Sequence, residues 1–391
     1  MLVKPQSSSL AKIKVVGVGG AGGNAIDNMI RNYDIEGVEF VAVNTDAQAL
    51  TNNSAEIKLK IGEEITRGLG SGGNPAIGRK AAEESVDLLH EHLAGADMVF
   101  ITAGMGGGTG TGASPIIAGI AKNLGALTVA IVEKPFHFEG KKRMQAAMEG
   151  INEIKNKVDT LIVIPNQRLL DVVDRNISFM EALKKVDDVL AQAVKSISQL
   201  ITQAGLINVD FADVRSIMLN AGTALMGMGT ASGDDRAATA TRLAMSSPLL
   251  EMSIDGATGV LFNVIGGKDL AMFEVDEAAK MISDSVHSDA NIIFGATIDP
   301  DLSDELQVTV LATGFDTTAA GTPVIQQQSQ GMKVPQRPSL GSFGDDSSTT
   351  KTTPTDDTSD DDDDDDNILP KSTASDDDLE TPSFLRRKKD F

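Results

Sequence analysis

The chain contains no cysteine, which removes disulfides, thiolate zinc sites and cysteine nucleophiles from consideration. Histidines number four, His90, His92, His137 and His287. His90 and His92 stand two apart, a spacing that does not bring them to one helical face, so surface positions are expected and no metal site is assigned. No apolar run approaches the ~18 residues that a membrane span requires. The start, Met1 to Ala11, has one lysine and no apolar centre, so it does not read as a secretory signal. A soluble cytoplasmic protein is the expectation. Basic residues are also scarce, with Lys and Arg totalling 34 against 56 Asp and Glu, a net charge of −22. That balance argues against non-specific nucleic-acid binding, because a phosphate backbone needs a basic footprint.

What the chain does have is length and apolar content: 391 residues, 41% of them hydrophobic. At ~100–200 residues per domain, two folded domains and a tail are expected. Residues 1–11 read as a flexible start. Short β-branched runs then recur at Ile13 to Val18, Val38 to Val43, Met98 to Thr102, Thr128 to Val132 and Leu161 to Ile164. Helical spacing fills the gaps, as in Ala76 to Leu93 and Pro115 to Leu124. Alternation of this kind predicts an α/β fold with a parallel, Rossmann-like sheet over 12–177, whose ligands sit at the carboxyl ends of the strands.

A long helix follows, Ser178 to Ala204, with Leu183, Val186, Leu190, Val194, Ile197 and Ile201 on one stripe and Gly205 as its stop. It is read as a connecting helix over 178–205. Strands at Val260 to Ile265, Asn291 to Thr297 and Leu306 to Thr313, with helices at Val209 to Leu219 and Val275 to Ser285, predict a smaller α+β domain over 206–315. Residues 316–376 are rich in Gln, Ser, Thr, Pro and Asp, including the unbroken run Asp360 to Asp366, and are expected to form a disordered linker. Apolar character returns in 377–391, where Leu379, Phe384 and Leu385 stand beside Arg386 to Lys389.

Three glycine-rich segments carry the chemistry. Gly17, Gly19 and Gly22 match the dinucleotide pattern GxGxxG at a strand-to-helix junction. Glycines let the backbone approach a phosphate, and a helix start offers free N–H groups and a positive dipole. This motif alone leaves a dinucleotide enzyme open, with Glu36 or Glu39 as the ribose partner. The run Gly104 to Gly112 holds six glycines in nine residues, a high entropic cost that makes sense if successive N–H groups wrap an anion. No lysine follows its last glycine, so it is not a Walker A loop. Gly68 to Pro75 is a third such junction. Three junctions fit several phosphates better than one pyrophosphate.

The string Gly106 to Gly112, GGGTGTG, resembles the signature loop of the tubulin and FtsZ family. Asn44 to Leu50, Lys134 to Phe136, Phe138 to Arg143, Asn208 to Arg215, Ser246 to Leu250 and Leu379 to Arg387 all resemble FtsZ sequences. The resemblance covers about residues 12–315 and 377–389. It implies a GTPase that polymerises head to tail and forms the bacterial division ring at midcell, using GTP with Mg²⁺ and, as a secondary candidate, K⁺. By the same resemblance Gly20, Ala21, Gly22, Gly23, Asn24 and Ala25 contact phosphate, as do Gly104, Gly106, Gly107, Gly108, Thr109 and Gly110. Asn44 and Gly72 are assigned to the GTP site too. Glu139 and Arg143 correspond to contacts on the sugar and phosphate side.

Asn166 and Asp187 correspond to readers of the guanine edge; a carboxylate can accept from both N1–H and the 2-amino group, which adenine cannot supply. Asp210 and Asp213, with Asn208 orienting their loop, correspond to catalytic residues that act on the neighbouring subunit's GTP. By spacing alone, the two acids would read as a solvated helix start.

Two departures from the family stand out. Leu183 replaces a base-stacking Phe, and Thr381 replaces a commoner Ile in the tail peptide. The resemblance makes Leu379 to Lys389 a docking peptide for division adaptors and membrane-tethering proteins, on a linker with an r.m.s. span of roughly 40–50 Å. Membrane association is then indirect.

Overall fold

Each β-branched run named above forms a strand in the computed structural model. It describes residues 11–315 apart from residues 34, 173–176, 203–204, 208, 248–249, 251–252 and 301. Residues 1–10, expected from the sequence to be flexible, Asn208, the acidic linker and the terminal peptide lie outside the described residues.

The chain opens with β1 (Ile13–Val18), α1 (Gly19–Asn32), β2 (Val38–Asn44), α2 (Ala47–Asn52), β3 (Ile57–Lys60) and α3 (Glu63–Thr66). Next come α4 (Pro75–Glu84), α5 (Val86–Leu93), β4 (Met98–Gly104), α6 (Thr109–Asn123) and β5 (Leu127–Lys134). A single 3-10 turn, His137–Glu139, leads to α7 (Lys141–Lys155), β6 (Thr160–Pro165), α8 (Asn166–Val172) and α9 (Phe179–Thr202). The remainder is α10 (Phe211–Met218), β7 (Gly222–Ser232), α11 (Arg236–Met245), β8 (Gly259–Gly266), α12 (Met272–Ser283), β9 (Asn291–Ile298) and β10 (Glu305–Thr313).

One ten-stranded sheet runs β3-β2-β1-β4-β5-β6-β7-β10-β8-β9. From β3 to β7 the pairing is parallel. β10 runs antiparallel to both β7 and β8. The strand order reverses between β1 and β4, and in open α/β sheets ligands sit outside the carboxyl ends at such a point. Register sharpens this: Val18 at the end of β1 pairs with Val43 of β2 and Ala103 of β4. Gly104 in turn pairs with Glu133. The loops after β1, β2, β4 and β5 therefore leave the sheet at one level.

Several elements differ from the sequence expectation. The stretch Ala76 to Leu93 is two helices, interrupted at Ser85, whose hydroxyl accepts from Gly62 N–H. The glycine runs are not loops throughout: α1 starts at Gly19 and α6 at Thr109, so their later glycines form the first helical turns. β7 is not announced by its sequence, GTALMGMGTAS, which is short of β-branched residues. Its glycines have a packing reason: a Cβ at Gly227 or Gly229 would collide with the carbonyl of Ala244 or Ala240. α11 packs directly on the strand because those two side chains are absent.

α9 holds the architecture together. Val186, Leu190, Val194 and Ile197 are buried in one cluster. That cluster contains Val15, Phe100 and Val129 from the first strands and also Leu261 and Leu311 from β8 and β10. The expected stripe is thus correct at its centre; Leu183 at its start is exposed. Deleting a fully buried leucine side chain costs about 2–5 kcal/mol through lost transfer energy and the cavity left behind. Leu190→Ala is expected to lower unfolding free energy by that amount in a denaturant titration. Because Leu190 lies within the shared cluster, probes placed before and after α9 should shift together; a shift on one side only would contradict a common core.

Candidate nucleotide site

The carboxyl edge of β1 and β4 brings two helix starts side by side. α1 is preceded by Val18 and α6 by Gly108, and neither helix has a side-chain cap. α2 and α4 do have one, since Asp46 accepts from Gln48 N and Ala49 N, and Asn74 from Ala76 N; α3, α5, α7 and α11, like α1 and α6, do not. A helix leaves its first N–H groups without internal partners, and together with the dipole they favour an anion. Here those groups are left to something other than the chain's own side chains.

The glycines sort by what surrounds them. At Gly17, Gly22, Gly104, Gly108 and Gly110 an added Cβ would meet protein atoms inside 2.9 Å. These residues let β1, β4, α1 and the Gly68 to Pro75 loop close on one another. At Gly106 φ is +96°, and a Cβ would strike Arg143, so this glycine lets the start of α7 approach the loop. At Gly20 nothing lies within 4 Å, and at Gly107 the nearest atom is the Gly104 carbonyl oxygen at 4.0 Å. Protein packing does not require glycine at those two positions. Gly72 is exposed, with φ +59° and open space around it. Gly22 and Ala25 are buried, on the inner side of α1 rather than at the open edge.

The third glycine segment is tied to the second by hydroxyls. Thr109 Oγ1 lies 2.7 Å from Thr45 Oγ1 and 3.0 Å from Ser71 Oγ. All three residues are buried. Asn44 supports the loop after β2, its Oδ1 accepting from Thr45 N at 2.8 Å and Asp46 N at 3.3 Å. The loops after β2, α3 and β4 thus form one wall. Asn44, Gly20 and Gly23 line a cleft on that wall.

A second cleft adjoins it, since Asn24 lines both. Ala21 and Gly104 stand at the end nearest the glycine loops; Glu139, Arg143, Asn166 and Asp187 line the rest. Glu139 is fixed twice, accepting from Phe136 N at 2.8 Å and pairing with Arg143 Nε at 3.0 Å. Burial pushes Asp187 up to about 7, helped by the neighbouring Asp188. Leu183 lines the cleft at its mouth. Phe179, one helical turn earlier, lies 6.0 Å from Phe138, which stacks on Phe136 at 5.0 Å. The aromatic surface here is offset from the position Leu183 occupies.

Asp210 and Asp213 are elsewhere. Asp210 caps α10, its Oδ1 accepting from Asp213 N at 2.8 Å, and both are exposed. Val209 packs beside Leu200 against Gly295. Leu200 is thirteen residues beyond Asp187 on α9, about 20 Å at 1.5 Å per residue. The structure does not bring these two acids to the cleft of the same chain. Glu36 and Glu39 stand before or at the opening of β2, and Glu39 pairs with Lys14 at 2.9 Å. Neither stands where a dinucleotide's ribose partner is needed. Among the described residues, no group of three or more His, Asp or Glu is placed to hold a metal ion, and no helix is long and apolar enough to cross a membrane.

Sequence reasoning passed over three residues: Thr45, Ser71 and Glu133. Glu133 is 6% exposed and lines the second cleft. Its signal was legible, a lone carboxylate ending the apolar strand LTVAIVEK.

This fold and this pair of clefts define a tubulin-like nucleotide-binding protein. The sequence pattern of the Tubulin/FtsZ family, GTPase domain, matches residues 12–174, and that of the FtsZ family, C-terminal domain, matches 222–316. An FtsZ dimer of M. jannaschii is 47% identical, with a TM-score of 0.76, over 80% of this chain and 93% of that one. A mutant form of M. jannaschii FtsZ is 49% identical, with the same TM-score of 0.76, over 78% and 92%. CetZ2 from Haloferax volcanii shares the fold at 21% identity and TM-score 0.67, over 79% and 96%. The chain belongs to the FtsZ family and is a GTPase.

The glycine environments give a test. Gly107→Ala should unfold within about 0.5 kcal/mol of the parent, since its Cβ enters open space; if that space receives the phosphates, the variant should bind GDP at least about tenfold more weakly. Gly108→Ala drives a Cβ into Ser71 and should cost about 1–3 kcal/mol of stability. Paired thermal unfolding and fluorescent-GDP titration separate the two effects.

Proposed function

We propose that this protein is a self-assembling GTPase whose subunits stack head to tail, each completing the active site of the next, in filaments that form the cell-division ring. The observation that carries the reading is the split site: a phosphate cradle and base cleft at one end of α9, and an exposed acidic pair at the other. In an isolated subunit Asp210 and Asp213 lie about 20 Å along α9 from the base cleft, too far to align water on that subunit's own γ-phosphate. In a stack, Asp210 and Asp213 of one subunit would face the cradle of its neighbour. The exposed surfaces agree. Leu69 and Phe138 are 85% and 63% exposed on the segments that flank the nucleotide clefts, and Leu206, four residues before Asp210 in the sequence, is 66% exposed. The M. jannaschii FtsZ structure described as a dimer lends support by family membership.

In this mechanism the chain holds GTP by its backbone. The N–H groups at the starts of α1 and α6 bind the phosphates, with Gly20 and Gly107 giving them room. Ser71 and Gly72 close the γ-phosphate end, and Asn166 and Asp187 fix guanine by its donor edge. Glu139 and Arg143 hold the sugar side. The neighbour's Asp210 and Asp213, with Asn208 two residues before them in the sequence, polarise and align the attacking water in line with the leaving GDP oxygen. The oxygen-rich wall of Thr109, Thr45 and Ser71 suits a hard cation, and Mg²⁺ held there on the triphosphate would offset charge on the phosphates; K⁺ is a secondary candidate.

Residues 12–177 form the GTP-binding domain in this reading, 178–205 the connecting helix and 206–315 the domain that delivers the acids. The segment 379–389 would recruit adaptor and membrane-tethering proteins, placing the filaments at midcell on the cytoplasmic side.

Hydrolysis should then require assembly. Specific GTPase activity, followed by phosphate release with Mg²⁺, should rise steeply above a threshold protein concentration; a constant specific activity down to high dilution would reject the trans site. Asp213→Ala should still bind GTP and scatter light with it, while turnover falls at least about 100-fold. Normal turnover in that variant would remove Asp213 from the chemistry.

A further inference from the structure

The floor of the base cleft carries two buried oxygens with no partner in the protein, Glu133 Oε1 and Asn166 Oδ1. The other oxygen of Glu133, Oε2, accepts from Asn166 Nδ2 at 3.4 Å, a weak contact. Glu133 stands at the carboxyl end of β5, opposite Gly104. It is buried, and its side chain lines the cleft that takes the nucleoside.

Among the described residues, the charged groups facing it come from three elements. Asp187 faces it from α9, with Asp188 behind. Glu139 faces it from the 3-10 turn and is paired with Arg143 of α7. β4 presents Gly104, α8 presents Asn166, and α1 presents Ala21 and Asn24, all uncharged. Three carboxyl groups and one guanidinium therefore surround a ligand that is itself a polyanion. Fully ionised, that arrangement opposes binding.

We propose that Glu133 is a nucleoside-contacting residue that binds guanosine nucleotides as the neutral acid, donating its carboxyl proton from the floor of the cleft while Asp187 stays ionised. The proposal rests on the GTP-site reading above. Guanine places its N1–H and 2-amino donors against Asp187, which needs the carboxylate form as acceptor. The remaining proton of the pair then belongs on Glu133, where an O–H can meet an acceptor of the sugar or purine. An ionised Glu133 would offer only acceptors and would add a buried negative charge. Burial first, and the Asp187 charge second, push Glu133 up to about 8. The neutral form is therefore the major one at pH 7, and it is lost as pH rises through about 8.

The consequence is proton-linked binding with a defined sign. The full-length protein should bind GDP about twofold more weakly at pH 8.5 than at pH 7.0: loss of the Glu133 proton alone weakens binding about fourfold, and ionisation of Asp187 as pH rises through about 7 returns about twofold. Glu133→Gln, neutral at every pH, should show no such alkaline loss. Glu133→Leu should also lack the alkaline loss, and both variants should keep the gain that Asp187 ionisation brings as pH rises through about 7. Lacking a donor, the leucine variant should bind at least about threefold more weakly than the glutamine variant, as expected for one lost hydrogen bond.

Calorimetry of the wild-type protein with GDP at pH 8, in two buffers of different ionisation enthalpy, should register net uptake of up to about half a proton. That measurement needs no variant. GDP binding with neither proton uptake nor an alkaline limb overturns the role of Glu133 while leaving the GTP site intact. An alkaline limb that persists in Glu133→Gln also overturns it, by assigning the proton elsewhere. Failure of the wild-type protein to bind GDP at pH 7 overturns the underlying GTP-site reading itself.

Discussion

Two helix starts without caps, side by side at one strand crossover, are the constraint on which the rest of this molecule depends. A buried or half-buried helix N-terminus with no partner is unfavourable, and the chain satisfies the starts of α2, α4 and α10 with Asp46, Asn74 and Asp210. It leaves α1 and α6 uncapped, as it does α3, α5, α7 and α11, but α1 and α6 start side by side at the crossover. The glycines follow from that choice. Those at 17, 22, 104, 108 and 110 allow two helix starts and three loops to crowd together. Gly20 and Gly107 then keep the resulting hollow open. The high glycine count is thus two requirements superimposed: close approach of protein to protein, and close approach of protein to phosphate.

α9 turns this local site into a polar molecule. Its first turns, through Leu183 and Asp187, belong to the base cleft, and its far end is packed beside the segment that carries Asp210. Its middle is buried in a cluster shared by the parallel strands and by β8 and β10. A rigid rod fixed in that way separates binding groups from the acidic pair by about 20 Å. Bending α9 to bring them together would break the shared core. Stacking another copy costs far less, which is why assembly and chemistry belong together in this reading.

Much of this was legible in the sequence because it depends on period and punctuation. The strands β1, β2, β4, β5 and β6 are short β-branched runs, and α9 shows its apolar stripe along most of its length. The residues of the base cleft were accessible only through resemblance, since nothing in the spacing of Glu139, Asn166 and Asp187 says that they meet. β7 was hidden because its sequence serves the approach of α11 rather than strand propensity. The extent of α1 and α6 was hidden because glycine runs read as loops, whereas here the first helical turn is itself glycine-rich. Asp210 illustrates a reading that spacing gets right locally and cannot complete. It is a helix cap, as two acids three residues apart suggest, and a cap on an exposed end remains free to serve a second purpose.

Glu133 marks where composition and site meet. A chain of net charge −22 that binds a nucleotide must locally suppress its own acidity. In the proposed site the phosphates meet the helix dipoles and N–H groups of α1 and α6, and no Lys or Arg is among the described residues that line the first cleft. Around the nucleoside it has one guanidinium, Arg143, already committed to Glu139. Burying another carboxyl beside Asp187 looks adverse only if both stay ionised. Burial disfavours the charged form and each charge disfavours the other, so the two effects act in the same direction and keep a proton in the pair. The cleft then offers one acceptor for guanine's donors and one donor for its acceptors, from two side chains of the same chemical type.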